Sequence, residues 1–294
     1  MDKPVFVAEV SSNHHQDLQR CFQFVDMAAD IGCSAVKFQL FKIGELFAPE
    51  ILNRSEEHRR RKDWELPVSF LPPLAERCRE RKIKFACTPF YLEAVSELFP
   101  YVDFYKIASY ELLWSNLLIE CAKTGKPIVL STGMATLDEV NKAVTILVES
   151  GCQDITVLHC VSGYPAPVSS CNLAAIETMR STIKNPKSKI PIRFGWSDHS
   201  VNPSVIYRAV HRWGTEMIEF HLDIEGKGEE FAAGHCWLPE QIQDVVRSVN
   251  EGFDADGSGK KEPMPAELQD RQWRADPSDG QRPLKPARSS FQNE

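Results

Sequence analysis

The chain has 294 residues, of which 43% are hydrophobic and 26% are charged, a composition typical of globular proteins. This length can bury one large α/β domain or two ordinary domains. The formal net charge of −7 argues against general nucleic-acid binding, so an anionic ligand would need cations placed locally. The first residues lead directly into a strand pattern without a signal peptide, and no apolar run is long enough to span a membrane.

Short β-type runs alternate with amphipathic helical stretches from residue 4 to about residue 250. The predicted strands are Val5–Val10, Ala35–Leu40, Lys84–Cys87, Phe104–Ala108, Pro127–Leu130, Ile155–Cys160, Ile192–Phe194 and Met217–Phe220. The predicted helices are Leu18–Ile31, Phe70–Arg81, Leu92–Leu98, Leu117–Lys123, Leu137–Glu149, Leu173–Ile183, Pro203–Trp213 and Leu238–Asn250. Eight such units predict an α/β fold of the (β/α)8 TIM-barrel type. A doubly wound open sheet is the alternative, but no Gly-rich dinucleotide turn follows the first strand.

Two segments interrupt this alternation. Residues 42–66 are too long for a simple βα loop, and we expect a lid or a short exposed helix over the barrel mouth. Residues 254–294 are rich in Pro, Gly and charged residues, which predicts a disordered or extended polar tail. The sequence therefore predicts a barrel domain over residues 1–253 followed by this tail.

Nine cysteines occur without any C-x-x-C pair. Most of them, including Cys33, Cys87, Cys121 and Cys160, lie in apolar strand or helix patterns. This distribution predicts reduced thiols in the core and a cytoplasmic location.

Two of the apolar runs end in a histidine, at His199 and His221, and a helix-sized segment separates them. Parallel strands joined by a crossover helix finish side by side at one edge of the sheet. The two imidazoles should therefore be neighbours at one mouth. They could bind a divalent metal, or they could simply hydrogen-bond within the fold.

Lys37 and Lys106 lie inside apolar strands, where an unpaired charge is costly. One explanation is a structural ion pair with Glu9 or Glu111. The other is an anionic substrate, because ammonium and hydroxyl groups converge at the same strand ends and can all donate to a phosphate or carboxylate. The hydroxyl donors are Thr88, Ser109, Ser131 and Ser197. A metal beside this anion could polarise a carbonyl of a second substrate, with Glu9 and Glu111 available for acid–base chemistry.

These strand ends match a known pattern over about residues 4–250. The chain resembles the sialic acid synthase (N-acetylneuraminate synthase) family in eight runs that occur in the same order. They are Val7–His14, Ala35–Gln39, Thr88–Phe90, Tyr105–Ser109, Ile128–Met134, His159–Cys160, Tyr164–Pro167 and Trp196–His199.

The resemblance implies a metal-dependent condensation of phosphoenolpyruvate with the aldehyde of an N-acyl hexosamine or a related sugar. Phosphate leaves with C–O cleavage and a nine-carbon 2-keto acid forms. His199 and His221 resemble the ligands of Mn2+ or Mg2+. The phosphoenolpyruvate pocket is matched by Lys37, Thr88, Lys106, Ser109, Ser131 and Ser197. Glu9 resembles the carboxylate near the reacting carbons, while Gln39, Glu111 and Tyr164 resemble sugar contacts.

On this resemblance the catalytic candidates are Glu9, Lys37, Lys106 and Glu111, and the partners are small-molecule substrates and a possible second copy in a homodimer. Three departures accompany it. Ser162 stands where the family usually has Asn, within the substrate-binding set. The family's Gly-Pro-Asp segment after the second histidine is absent, and its carboxylate could be replaced by Glu229, Glu230 or His235. A C-terminal antifreeze-like domain, usual in the family, has no counterpart in the predicted tail.

Two other functions are compatible with the sequence. One is a synthase for another 2-keto sugar acid that uses an aldose phosphate, for which Arg59–Lys62 is the available basic loop. The other is a non-catalytic homologue that binds a sugar or a protein, since a fold alone does not establish function.

Overall fold

The computed structural model describes residues 2–183 and 190–289, and in this part of the chain eight parallel strands surround one core. They are β1 (Val5–Glu9), β2 (Ala35–Leu40), β3 (Lys84–Pro89), β4 (Phe104–Ile107), β5 (Ile128–Ser131), β6 (Ile155–Cys160), β7 (Ile192–Asp198) and β8 (Met217–Leu222). Neighbours in sequence are neighbours in the sheet, and β1 pairs with both β2 and β8. This pairing closes the barrel, so the predicted (β/α)8 fold is confirmed. Strand β7 runs to Asp198, beyond the predicted end at Phe194.

In the described residues helices alternate with the barrel strands, and three more follow the last of these strands. They are α1 (Leu18–Ile31), α2 (Ile43–Leu46), α3 (Pro49–Arg54), α4 (Glu56–Arg60), α5 (Leu71–Arg81), α6 (Leu92–Leu98), α7 (Ser115–Lys123), α8 (Leu137–Glu149), α9 (Ala175–Thr182), α10 (Pro203–His211), α11 (Glu229–Ala232), α12 (Pro239–Ala255) and α13 (Lys285–Arg288). Helix α1 shows why these stretches start and stop where they do. The Asp17 carboxylate accepts hydrogen bonds from two first-turn N–H groups, and Gly32 ends the helix at φ 94°.

The barrel interior is built in layers. Its apolar layer consists of Val7, Ala35, Ala86, Phe104, Val129, Leu158 and Met217. Side chains two positions apart on a strand face the same side. The next layer toward the strand C-termini is therefore Glu9, Lys37, Thr88, Lys106, Ser131, Cys160 and Glu219. The sequence thus places a polar layer directly above an apolar one.

Strand β7 contributes a glycine to the apolar level. A Cβ on Gly195 would lie 2.4 Å from the Met217 carbonyl oxygen and 2.5 Å from Leu158 Cδ2. Both distances are shorter than van der Waals contact, so any larger side chain would push the neighbouring strands apart. This close approach brings Ser197, two residues further along β7, beside β8.

Two connections differ from the simple βα pattern. Residues 42–66 fold into α2, α3, α4 and a 3-10 turn at Arg61–Trp64. After β8 the chain forms α11 and a short ninth strand, β9 (Cys236–Trp237), which pairs in parallel with His221 and Leu222. Strand β9 thereby lies beside the end of β8, past the last residue that pairs with β7.

Contacts divide the chain into two compact units, with the boundary between Glu251 and Gly252. In the second unit the Asp276 carboxylate accepts hydrogen bonds from the backbone of Ser278 and Lys285, and Asp279 pairs with Arg288. Short 3-10 turns occur at Pro265–Glu267 and Asp270–Trp273. The sequence predicts a disordered or extended arm, and the carboxylate-capped turns are the local order that the structure describes there. Residues 290–294 of the predicted tail lie outside the described residues, and a domain boundary at residue 253 stays a prediction.

All nine cysteines are buried as free thiols. Within residues 2–183 and 190–289, none of the helices combines the length and the apolar character needed to cross a bilayer.

Candidate active site

A cavity of about 450 Å3 opens at the C-terminal ends of the strands, within the range usual for small-molecule sites. Most of the residues predicted for the site line it. They are Lys37, Gln39, Lys106, Ser109, Glu111, Ser131, Tyr164, Ser197, His199 and His221. In a TIM barrel this face carries the active site, so the location agrees with a catalytic or binding role.

Three predicted residues do not line this cavity. Glu9 and Thr88 are almost fully buried in the polar layer, where each contacts Lys37. Ser162 lies in a neighbouring crevice, against Gly133. Glu9 and Thr88 therefore contact Lys37 within the polar layer, and a substrate-binding role for Ser162 stays a prediction.

The two buried lysines share carboxylate partners. Lys37 forms an ion pair with Glu9, and its Nζ also lies 3.8 Å from Glu219 Oε2. Lys106 Nζ lies 3.3 Å from Glu219 Oε1, which also accepts a hydrogen bond of 3.0 Å from the Ser197 hydroxyl. The ion-pair explanation therefore holds for Lys37 with Glu9, whereas Lys106 pairs with Glu219, a residue that the sequence reasoning did not select.

The two lysines differ in how well their charges are compensated. Burial acts to lower the pKa of Lys37, but the carboxylates of Glu219 and Glu9 outweigh it and raise that pKa. Burial lowers the pKa of Lys106, and the carboxylate of Glu219 only partly offsets this. Burial also acts to raise the pKa of Glu219, yet Lys106 and Lys37 lower it to about 2. Lys106 is thus the under-compensated cation of the layer, and an additional anion beside it would stabilise its charge.

The position of Glu219 in the sequence indicates that its side chain belongs to the site. It stands two residues before His221 in β8, so both side chains face the barrel interior. A carboxylate in an otherwise apolar strand needs a cationic partner, and two interior lysines were available. What the sequence alone does not specify is which strand supplies the partner, because that depends on the barrel register.

Glu111 provides a carboxyl group with a different character. It lies in the 3-10 turn after β4 and lines the cavity, although only 9% of its surface is exposed. Burial raises the pKa of Glu111 to about 7, with Lys106 partly opposing the shift. Such a group can hold or release a proton near neutral pH.

His199 and His221 lie together at the cavity, with ring centroids 5.3 Å apart. His199 Nδ1 lies 2.8 Å from the Val161 carbonyl oxygen, which can only accept, so Nδ1 carries the proton and Nε2 keeps a lone pair. Burial, followed by the neighbouring His221, lowers the pKa of His199 to about 3. The imidazole is therefore neutral at pH 7, the form that binds metals.

A carboxylate and a third imidazole adjoin this pair. Glu230 lines the cavity, and its Oε2 lies 3.7 Å from His221 Nδ1 and 3.8 Å from His235 Nε2. Burial acts to raise the pKa of Glu230, but the adjacent His221 and the hydroxyls of Ser11 and Ser12 lower it to about 2. Of the three candidates for the family's missing carboxylate, Glu229 is exposed, whereas Glu230 and His235 face the site.

The donor set at this side of the mouth fits a divalent ion. Among the described residues, Glu230 Oε2 and His221 Nδ1 are buried without hydrogen-bond partners. Burying a carboxylate oxygen and an imidazole nitrogen without partners is costly. Imidazole nitrogen and carboxylate oxygen are the ligands that divalent transition ions accept.

The segment 42–66 covers part of the opening. Phe47, Arg61 and Trp64 line the cavity, and the Arg61 guanidinium lies 5.6 Å from the Phe47 ring and 5.3 Å from the Trp64 ring. Both distances are within the range of cation–π contacts. In the described structure the buried Nε of Arg61 has no hydrogen-bond partner, so it remains free to donate to a ligand.

Comparison with known proteins identifies the relatives of this chain. It is 31% identical over 282 residues to N,N'-diacetyllegionaminic acid synthase of Campylobacter jejuni, covering 91% of this chain and 81% of that protein. It is 27% identical over 262 residues to N-acetylneuraminate-9-phosphate synthase of Drosophila melanogaster, covering 85% and 68%.

The fold is also shared with a solved structure. The sialic acid synthetase of Leptospira borgpetersenii superposes with a TM-score of 0.77 at 29% identity, covering 100% of this chain and 94% of that one. The NeuB family model matches residues 24–261, which include seven of the eight barrel strands. The chain therefore belongs to the NeuB family.

Proposed function

We propose that this protein condenses phosphoenolpyruvate with the open-chain aldehyde of an N-acyl hexosamine-type sugar in a metal-dependent reaction, forming a sialic-acid-like nine-carbon 2-keto acid. The observation that supports the proposal is that a site for an anion and a set of metal-binding side chains lie at the same mouth of the barrel. A lysine layer in which Lys106 is under-compensated lies beside a cluster of imidazoles and a carboxylate. The first suits an anionic substrate, and the second suits an ion that activates a carbonyl.

The lysine layer suits phosphoenolpyruvate, which carries a phosphate and a carboxylate. Lys106 is the less compensated cation, and Lys37 lines the same cavity while paired with Glu9. The hydroxyls that line the same wall can donate to phosphate oxygens, and they belong to Ser109, Ser131 and Ser197. Glu9 also accepts a hydrogen bond of 2.9 Å from the Gln39 amide, which orients that amide toward the second substrate.

The proposed reaction moves two protons from water, one that ends on the new hydroxyl and one that leaves with the phosphate. C3 of phosphoenolpyruvate forms a bond with the aldehyde carbon, water adds at C2, and phosphate leaves with its bridging oxygen. A divalent ion held by His199 and His221 would polarise the aldehyde of the acceptor. Glu111, with its pKa near 7, can supply the proton that the aldehyde oxygen takes up. Tyr164, whose ring lies 4.2 Å from that of His199, borders the acceptor side.

A second candidate acceptor is a sugar phosphate. Arg61 lines the cavity with an unsatisfied donor within the described structure, and guanidinium groups bind phosphate well. The Drosophila relative is by name a synthase of a phosphorylated sugar acid. A phosphorylated N-acyl hexosamine would use the same condensation and differ only at the end of the sugar that meets Arg61.

The direct test is phosphate release from phosphoenolpyruvate in the presence of Mn2+. The acceptor panel contains N-acetylmannosamine, its 6-phosphate, diacetamido-hexoses and arabinose 5-phosphate. Turnover with an acylated hexosamine supports the proposal and identifies the acceptor. If phosphoenolpyruvate and Mn2+ both fail to bind in calorimetry, a non-catalytic homologue becomes the better explanation.

Lys106→Ala tests the anion site. We expect the KM for phosphoenolpyruvate to rise about 10- to 100-fold, since a hydrogen bond to a charged group contributes about 1.5–3 kcal/mol. Lys123→Ala, at an exposed position on α7, is the matched control and should leave KM unchanged. An unchanged KM and kcat in Lys106→Ala would assign this lysine to a structural ion pair instead.

A cytoplasmic location, a choice between Mn2+ and Mg2+ in the cell, and assembly as a homodimer stay predictions from the sequence.

A further inference from the structure

We infer that Glu230 and His235 join His199 and His221 in a mixed carboxylate–imidazole ligand set for a transition-metal ion such as Mn2+. The inference rests on the proposed function for the presence of a metal at the mouth. It goes beyond the two strand-end histidines, because it adds two ligands from the connection that follows β8.

The first support is how Glu230 is held. Its Oε1 accepts three hydrogen bonds, from the Ser11 hydroxyl at 2.6 Å, the Ser12 hydroxyl at 2.5 Å and the Ser12 N–H at 3.0 Å. These donors fix the carboxylate so that Oε2 faces the histidines. Within the described residues Oε2 is buried and accepts no hydrogen bond. One oxygen of this carboxylate thus accepts three hydrogen bonds and the other accepts none. This arrangement suits a carboxylate that binds a ligand through its second oxygen.

The second support is the spacing around Oε2. The ligand atoms of His221, Glu230, His235 and Cys236 all lie within 4.8 Å of one another. The gaps from Oε2 to His221 Nδ1 and His235 Nε2 are 3.7 and 3.8 Å. These gaps are too long for hydrogen bonds, whereas ligands that share one ion at about 2.0–2.2 Å lie about 3–4 Å apart.

The third support is burial. Only 7% of His235 and 9% of His221 are exposed, and in the described chain His221 Nδ1, the nitrogen that faces Glu230 Oε2, is buried without a hydrogen-bond partner. The alternative is an imidazolium that pairs with the Glu230 carboxylate. That pair would be expected to close to hydrogen-bond distance, which neither gap does.

The donor atoms of these side chains indicate which class of ion would bind. Imidazole nitrogen favours transition ions, whereas Mg2+ prefers an all-oxygen shell. Cys236 is close enough to be considered, but its sulfur already accepts a contact of 3.8 Å from the Asn13 Nδ2 amide. We therefore exclude Cys236 from the set and expect Mn2+ to bind at least about tenfold more tightly than Mg2+.

The test measures Mn2+ binding without substrates. The intact protein is treated with EDTA, exchanged into metal-free buffer and titrated with Mn2+, with free Mn2+ followed by electron paramagnetic resonance. Glu230→Gln and His235→Asn should each weaken binding at least about tenfold, as losses near a metal do. Glu229→Gln, an exposed neighbour on α11, is the matched control and should bind like the wild type, as should Cys236→Ser. Circular dichroism verifies that each variant is folded.

The outcomes separate this inference from the proposed function. Wild-type binding in Glu230→Gln and His235→Asn, with loss in His199→Asn or His221→Asn, would overturn the inference and leave the proposed function standing. Wild-type binding in all four variants, or no Mn2+ binding by the wild type, would overturn both. Loss of binding in Cys236→Ser, or equal affinity for Mg2+ and Mn2+, would overturn the assigned ligand set.

Discussion

The lysine layer (Lys37 and Lys106 with Glu9 and Glu219) and the histidine cluster (His221, His235 and Glu230) lie at the same mouth of the barrel. They differ in whether their buried polar groups are paired within the fold. In the layer, Lys37 and Lys106 face Glu9 and Glu219, so each buried charge has an opposite charge nearby. In the cluster, Glu230 and two imidazoles face one another across gaps that no hydrogen bond closes in the described structure. The layer pairs its charges within the fold and leaves only Lys106 partly compensated, whereas the cluster leaves buried ligand atoms without partners in the described residues.

This difference implies different responses to mutation. Removing a member of the layer leaves an uncompensated buried charge, which should lower the stability of the fold itself. Removing a member of the cluster should leave the metal-free fold nearly unchanged and affect only what binds there. Free energies of unfolding in metal-free buffer can therefore separate the two regions.

The largest effect is expected for Glu219→Gln. Two lysines would remain buried with only Glu9 as a full charge partner, and we expect a loss of about 3–5 kcal/mol in the free energy of unfolding. Because the folded-state pKa of Glu219 is lowered to about 2, this loss should be fully present above pH 4.5 and should shrink as the pH falls toward 2. Urea denaturation as a function of pH measures it.

Glu230→Gln is the comparison variant for this measurement. Its amide oxygen can still accept hydrogen bonds from Ser11 and Ser12, so the metal-free protein should change by less than about 1 kcal/mol. If Glu230→Gln destabilises the metal-free fold as much as Glu219→Gln does, the two regions do not differ in the way described.

A somewhat smaller effect is expected for Glu111→Gln, with the opposite sign. The folded-state pKa of about 7 means that keeping the buried carboxyl charged costs stability above pH 7. The variant should therefore be more stable than the wild type by about 3 kcal/mol above that pH, and equal to it below pH 4.5. Glu120→Gln, at an exposed position on α7, should show no such pH dependence. A constant difference across the pH range would mean that Glu111 does not titrate in this window.

The smallest effect is expected for Arg61→Ala, which acts on neither region directly. Loss of one donor over the mouth should raise the KM for the sugar by about fivefold to tenfold and leave the KM for phosphoenolpyruvate unchanged. Arg60→Ala is the control, because 76% of that side chain is exposed and its pair with Glu56 contributes little. A rise in both KM values would place Arg61 in the general opening of the site instead.

The fold was predictable because it follows from local pattern. Eight apolar runs alternating with helical stretches determine the barrel, and polar residues at the strand ends determine its mouth. The adjacency of His199 and His221 follows from the crossover between their strands, and their rings lie 5.3 Å apart.

The charge pairing was not predictable in the same way. An ion pair with Glu9 or Glu111 was one of two explanations for the buried lysines, yet Lys106 pairs with Glu219 on a strand that does not adjoin β4. Such contacts cross the barrel lumen and depend on register and side-chain reach. The position of Ser162 beside Gly133 in a neighbouring crevice likewise depends on how the loop after β6 folds, and its role in substrate binding stays a prediction.

Strand β9 fixes His235 near the end of β8 through its pairing with His221 and Leu222, and α11 supplies Glu230 from the connection between them. An ion shared by these residues would hold both ends and the middle of that connection, and so act as a reversible cross-link. Closing a loop in this way removes conformations in which the connection is open. Residues 224–234 should consequently resist proteolytic cleavage when Mn2+ is bound and become sensitive when it is chelated.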